Sequence, residues 1–188
     1  MPKTYSVEGV GIIDIQVPQS DAAFIKWKSM LTRCYSAKFQ HWEPSYIGCS
    51  VCNEWLSLSN FKQWFDENCI EQYHLDKDIL FKGNKVYSPE TCCFVPQEIN
   101  KLLNTCRNVR GAYPIGVTKC RSRYKASIMV CGRKISIGTF DTPEEAFSAY
   151  KAKKTNKVKE LAEKYYKEGK ITERVYNALL NYRVEITD

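Results

Sequence analysis

One stretch, His74 to Asn100, constrains the architecture of this chain more than any other. It holds two apolar runs of β character, Leu75 to Phe81 and Thr91 to Val95. A Gly83-Asn84 turn and a Ser88-Pro89 loop separate them, and Pro96 opens a helix expected to reach about Leu103. A strand, a loop, a strand and a helix in so short a span form a self-contained β-β-α unit. Side-chain alternation puts Asp76 and Asp78 on one face of the first strand and Lys77 on the other. Asn100 comes from the helix. Hard oxygen ligands in that arrangement suit Mg or Mn.

The residues before this unit read as helical. Val10 to Pro18 is an expected strand or extended arm, and Ser20-Asp21 an expected helix cap. From Ala22 to Tyr35 the apolar residues Phe24, Trp27, Met30, Leu31 and Cys34 recur at helical spacing. Ser57 or Ser59 is expected to cap a second helix that runs to about Asn68, with Phe61, Trp64 and Phe65 on its apolar side. The four tryptophans between Trp27 and Trp64 predict an aromatic core built by these two helices.

The charge is unevenly distributed. Residues 1–106 carry ten Lys and Arg against twelve Asp and Glu, whereas residues 107–170 carry sixteen against six. A dense cationic block beside a near-neutral one predicts a polyanion-binding module joined to a different unit. The polar, Gly-containing segment from Asn104 to Ala112 is the expected linker. No apolar run approaches membrane-spanning length, so no membrane partner is expected. The opening Met1-Pro-Lys-Thr-Tyr5 lacks the apolar core of a secretion signal, which predicts a reducing, cytoplasmic setting. There, the nine cysteines are expected to be buried thiols. Cys49-x-x-Cys52 has zinc-knuckle spacing, but it needs a second pair, drawn from Cys92 or Cys93 with Cys69 or His41. A structural zinc is not expected.

From Tyr113 the pattern changes to short strands: Ile115 to Lys119, Arg123 to Val130 and Lys134 to Phe140. Asp141 or Thr142 then caps a helix with Pro143 in its first turn, running to about Tyr165. A final short helix is expected from Thr172 to about Asn181. On the second strand Tyr124, Ala126, Ile128 and Val130 share a face, and the helix must cover it. Arg123, Lys125, Ser127 and Met129 share the other face. On the third strand Ile135 and Ile137 are expected inward, Lys134 and Ser136 outward. Lys119, Arg121 and Arg133 fall in or beside turns. A small sheet with a cationic free face can enter the DNA major groove, with Arg on guanine edges and Lys on phosphates.

Gly116-Val117, Tyr124 to Ile128, Ile137 to Ala146 and Ala149-Tyr150 resemble the Apetala/ethylene-response-factor DNA-binding domain in order and spacing. The resemblance covers about residues 111–160 and implies a three-stranded sheet in the major groove, backed by one helix. The residues implied in DNA contact are Thr118, Lys119, Arg121, Arg123, Tyr124, Lys125, Ser127, Arg133 and Lys134. The family's usual Trp in the second strand is Tyr124 here.

The stretch 74–100 resembles the HNH, or ββα-metal, nucleases, including those of phage homing endonucleases. Leu75-Asp76-Lys77 falls where that family has an apolar residue, Asp and His, and Asn100 falls at its helix Asn. The resemblance implies metal ligation by Asp76, Asn100 and Asp78, with Mg or Mn as cofactor. Lys77 replaces the general-base His, and lysine is a poor base at neutral pH unless its surroundings lower its pKa. His74, on the Asp76 face of a regular strand, is the other candidate for activating water.

The expectation is an α+β chain: an HNH-like domain over 1–106, an Apetala-type domain over 107–168 and a C-terminal helix and tail over 169–188. Its expected activity is metal-dependent cleavage of double-stranded DNA by a monomer, in a bacterial host's cytoplasm if the phage resemblance holds. The competing expectation is a DNA-binding regulator or blocking protein on a degenerate HNH fold.

Overall fold

The computed structural model describes residues 5–104 and 112–186. Most of the expected linker, residues 105–111, lies outside the described residues. The fold is mixed α+β, and the chain divides into two compact units, residues 1–94 and 95–188. Among the described residues no helix is long and apolar enough to cross a membrane.

The first unit opens with an antiparallel hairpin, β1 (Tyr5–Val7) and β2 (Gly11–Ile13). The expected strand from Val10 to Pro18 is thus only three residues long, because Pro18 and the residues before it find no partner strand. Next come α1 (Ala22–Tyr35) and α2 (Ala37–Trp42). β3 (Ser50–Val51) precedes α3 (Leu58–Asn68), and β4 (His74–Asp76), β5 (Val86–Tyr87) and β6 (Cys93–Val95) follow. β3 pairs with β5 in parallel, and β4 pairs with β6.

The starts of α1 and α3 have a chemical cause. The Asp21 carboxylate accepts from the Phe24 amide at 3.0 Å, as an N-cap should. Ser57 occupies the N-cap of α3 but makes no side-chain cap bond. Instead Asp14, distant in sequence, accepts from the Ser59 amide at 2.9 Å and from the hydroxyls of Ser57 and Ser59. A carboxylate at a helix N-terminus also opposes the helix dipole.

The α1 face predicted by spacing is the one that is buried: Trp27, Met30, Leu31 and Cys34, joined by Ala23. Trp27 donates its indole N–H to the Trp55 carbonyl at 2.7 Å, so the ring is buried without an unpaired polar atom. Trp55 meets Phe61 edge-on at 5.1 Å, and Trp64 stacks on Phe94 at 5.4 Å. Each fully buried ring of this cluster contributes on the order of 2–3 kcal/mol through area removed from water. Trp42 does not belong to the core; it is exposed at the end of α2.

The second unit contains α4 (Gln97–Leu103) and the sheet β7 (Val117–Cys120), β8 (Arg123–Val130) and β9 (Arg133–Phe140) in the order β7-β8-β9, all antiparallel. α5 (Pro143–Lys167) packs on this sheet and α6 (Glu173–Leu180) packs on α5. Thr142 and Glu145 form a reciprocal capping box at the start of α5. Ala126 and Ile128 of β8, and Ala146, Phe147 and Tyr150 of α5, are among the buried residues.

The strand register jumps between Ala126 and Ser127: Ala126 faces Gly138, but Ser127 faces Ser136, leaving Ile137 as a bulge. Ile135 pairs with Ile128 on the helix side as expected, although it is partly exposed, whereas Ile137 is taken out of the alternation. Gly116 adopts φ 78°, and a Cβ there would overlap the Tyr150 ring. Only glycine lets β7 begin that close to the helix.

Candidate functional site

β4 ends at Asp76, so the first β-type run is three residues and not seven. The second run is also shorter than its expected Thr91 to Val95, starting only at Cys93. Beyond β4 the chain turns. The Asp76 Oδ1 accepts from the amides of Asp78 and Ile79 at 2.7 and 2.8 Å, an Asx turn that stops the strand. Asp76 and Asp78 hence do not share a strand face, which corrects the alternation argument.

Lys77 is not on an outer strand face either. Its side chain is buried, and its amine donates to both carboxylate oxygens of Asp78 at 2.9 Å and to the Asn84 carbonyl at 2.7 Å. An ammonium has three protons, and these bonds engage them. The amine also lies 5.9 Å from the centroid of Tyr87. Asn84 returns the tie, donating its amide to the carbonyls of Lys77 and Val86 at 2.9 and 2.6 Å. Lys77 and Asn84 together close the loop between β4 and β5. Sequence reasoning saw Asn84 only as half of a turn pair. Its role as a clamp has no signature beyond Gly83, whose φ of 79° permits the turn.

Burial pushes the Asp76 carboxyl above the usual carboxylate range, with the negative Asp78 adding to it; the two amide bonds pull the other way. Both of those bonds fall on Oδ1, leaving Oδ2 as the oxygen that a cation could engage. His74 is half-buried on the same three-residue strand, two positions before Asp76. Asp78 is held by Lys77. No group of three or more His, Cys, Asp or Glu able to hold a metal occurs among the described residues. A single carboxylate oxygen fits the way Mg is commonly held, by one or two carboxylates with water and substrate phosphates supplying the rest. Asn100 is half-buried on α4, in the second unit.

The two cysteines of the Cys49-x-x-Cys52 pair differ in burial. Cys49 is buried and lies near Cys34, whose thiol is pushed up to about 12 by burial and by Cys49. Cys52 is half-buried, with Glu54 and Glu90 as its acidic neighbours. Cys92 is likewise pushed up to about 12 by burial.

In the second unit, burial and register define the free face of the sheet. Thr118 pairs with Lys125 and Cys120 with Arg123, on the face opposite Val117 and Ala126. Past the bulge, Met129 pairs with Lys134 on the face opposite Ile128. Arg121 and Arg133 are exposed at the two turns, Arg121 at φ 57°. Arg123 donates to Asp141 at 2.8 Å in an exposed pair. Two expected contact residues are less open than expected: Ser127 is buried, and Tyr124 is half-buried with its ring edge-on to Tyr113 at 5.4 Å. Lys119 lies in β7 beside the turn, paired with Tyr124.

One residue that sequence reasoning passed over organises the second unit. Glu98, in the first turn of α4, accepts from the Cys131 thiol at 3.1 Å and from the Tyr165 hydroxyl at 2.9 Å. Burial works against its charge, but these two bonds and the nearby Lys164 and Lys157 hold its carboxyl below the usual range. Glu98 thus ties α4 to the β8–β9 turn and to α5. An acidic residue in a first helical turn is ordinary dipole chemistry, so nothing local marked it.

Comparison with family models, with curated proteins and with solved structures yields no match to this chain.

Proposed function

We propose that this protein binds double-stranded DNA through the free face of β7-β8-β9, and that its 74–100 stretch is an HNH-type unit for metal-dependent phosphodiester cleavage. One observation carries the reading: a helix-backed antiparallel sheet leaves Lys125, Lys134, Arg121 and Arg133 on its uncovered face and turns, within the block that holds the chain's cationic excess. A twisted sheet of this size presents side chains at a spacing that suits the major groove, with Arg and Lys on guanine edges and phosphates. In the cleaving unit Asp76 would hold Mg or Mn through Oδ2, the oxygen that accepts neither amide. The metal would stabilise charge developing on the scissile phosphate. His74, on the Asp76 strand, would take a proton from water, and Lys77 is held by three hydrogen bonds.

That engagement also favours a second reading. A unit whose would-be base is a buried staple fits a DNA-binding regulator or blocker that has kept the fold and not the chemistry. Supercoiled DNA incubated with the protein and Mg or Mn separates the two. Nicking by the wild type that is lost in Asp76→Ala supports cleavage. Retarded DNA with no nicking in either metal supports the blocker and rejects the nuclease.

A further inference from the structure

We infer that Met129 reads thymine: its side chain is the apolar element on the DNA-facing sheet that senses the thymine C5-methyl group. The inference rests on the DNA-binding reading above and adds a base preference to it.

Thr118, Lys125, Lys134 and Ser136 on the free face offer hydrogen bonds or charge to phosphates and base edges, and Cys120 lies at its end. Met129 is the large apolar side chain on this face, 55% exposed and directly across from Lys134. Its neighbour Ile128 is turned to the helix side and buried, so alternation fixes Met129 on the free face. The bulge at Ile137 matters here, because it lies on β9 and leaves β8 regular through Ser127, Ile128 and Met129.

Leaving a methionine in water on a working face costs free energy unless something apolar covers it. Charge complementarity commits the occupant to DNA, since Lys134 lies directly across from the residue and Lys125 lies on the same face. The major groove of DNA exposes one apolar group, the C5-methyl of thymine, and apolar side chains are what recognise it. Methionine is unbranched and polarisable, so it can reach and adapt to that methyl as the sheet docks. The neighbouring Lys134 supplies phosphate attraction without sequence preference. Binding strength and base choice are then divided between adjacent cross-strand residues.

The test begins with selection of a preferred site from a random duplex library, using the full chain. The selected site is then remade with deoxyuridine replacing thymidine one position at a time, which deletes a single methyl group and leaves every hydrogen bond intact. The wild type is expected to bind at least one such duplex about fourfold more weakly, the effect of one buried methyl. Met129→Ala should bind both duplexes equally, and Met129→Leu should keep part of the difference. Circular dichroism melting of each variant shows that the fold is unchanged. Selection of a site with no uracil-sensitive position overturns the inference and leaves the DNA-binding reading standing. Sensitivity that persists in Met129→Ala also overturns it, by assigning the methyl to another residue. Failure to select any sequence overturns the inference, and failure of the chain to retard any duplex overturns the reading on which it rests.

Discussion

Replacing Lys77 with methionine separates a structural lysine from a chemical one. The substitution keeps the length and most of the volume of the side chain and removes its charge and three donors. The loss has two parts of different weight. The Asn84 carbonyl loses a charged donor at 2.7 Å inside a closed loop, which costs about 1–3 kcal/mol. Asp78 loses its partner too, but its side chain is 51% exposed where Lys77 is 8% exposed, so water takes over and the screened pair contributes less than about 1 kcal/mol. Burying the methionine tip returns roughly 1 kcal/mol. The first unit is therefore expected to lose about 1–2 kcal/mol, which lowers the urea midpoint by roughly 0.5–1 M. Trp27 and Trp55, buried in that unit, report the transition by fluorescence. Asp78→Asn should cost less than Lys77→Met, and any nicking should survive both at temperatures where the unit is folded. Nicking lost in Lys77→Met with an unchanged urea midpoint would refute the reasoning, because the amine would then act on DNA and not on the loop.

Three further outcomes are expected. Asp76 has a folded pKa above its unfolded one, so its favourable contribution is present below the unfolded pKa and is lost as pH rises through the folded value. At pH 7 its charge weighs against the fold; Asp76→Asn, which keeps an oxygen for the two amides, should melt no lower than wild type at pH 7, lose that advantage near pH 4, and abolish metal-dependent nicking. Glu98 has the opposite sign: its carboxyl is held below the unfolded value, so its stabilisation is present above that value and lost as pH falls through the folded one. Glu98→Gln should weaken hydrogen-exchange protection of the β8–β9 amides at pH 7 and flatten its decline in acid; unchanged protection at pH 7 would show that the junction carries no stability. Gly116→Ala combines a left-handed backbone, about 1 kcal/mol for a side chain, with overlap on Tyr150, about 1–3 kcal/mol. A loss of about 2–4 kcal/mol should appear in circular dichroism melts together with weaker DNA retardation, and a variant as stable as wild type would mean that α5 does not hold the sheet through this contact.

What the chain specifies locally is clear in α1, α5 and β8. Trp27, Met30, Leu31 and Cys34 recur at the period of a helix, and the face they define is the buried one. Thr142, Pro143 and Glu145 mark the start of α5 because caps are short-range chemistry. Alternation along β8 correctly separates Ala126 and Ile128 from the free face. These features depend on residues within one or two turns of each other, so sequence alone determines them, and with them the α+β class.

Three decisions were not legible in the apolar pattern, the first local and the other two tertiary. Strand β4 stops after three residues because the Asp76 side chain captures two amides, and a hydrogen bond from a side chain leaves no trace in an apolar pattern. The Lys77 amine turns inward because Asn84, seven residues on, brings a carbonyl to it once the loop closes; β-alternation would have left it outside. Asp14, Asn84 and Glu98 each reach a partner that only folding brings near, which is why none looked distinctive in the sequence. The candidate site was thus legible as a list of residue types in 74–100 and on the sheet. Which of those side chains face outward, and which are committed to holding the chain, was settled by hydrogen bonds across the loop and by the bulge at Ile137 that sets the register around Met129.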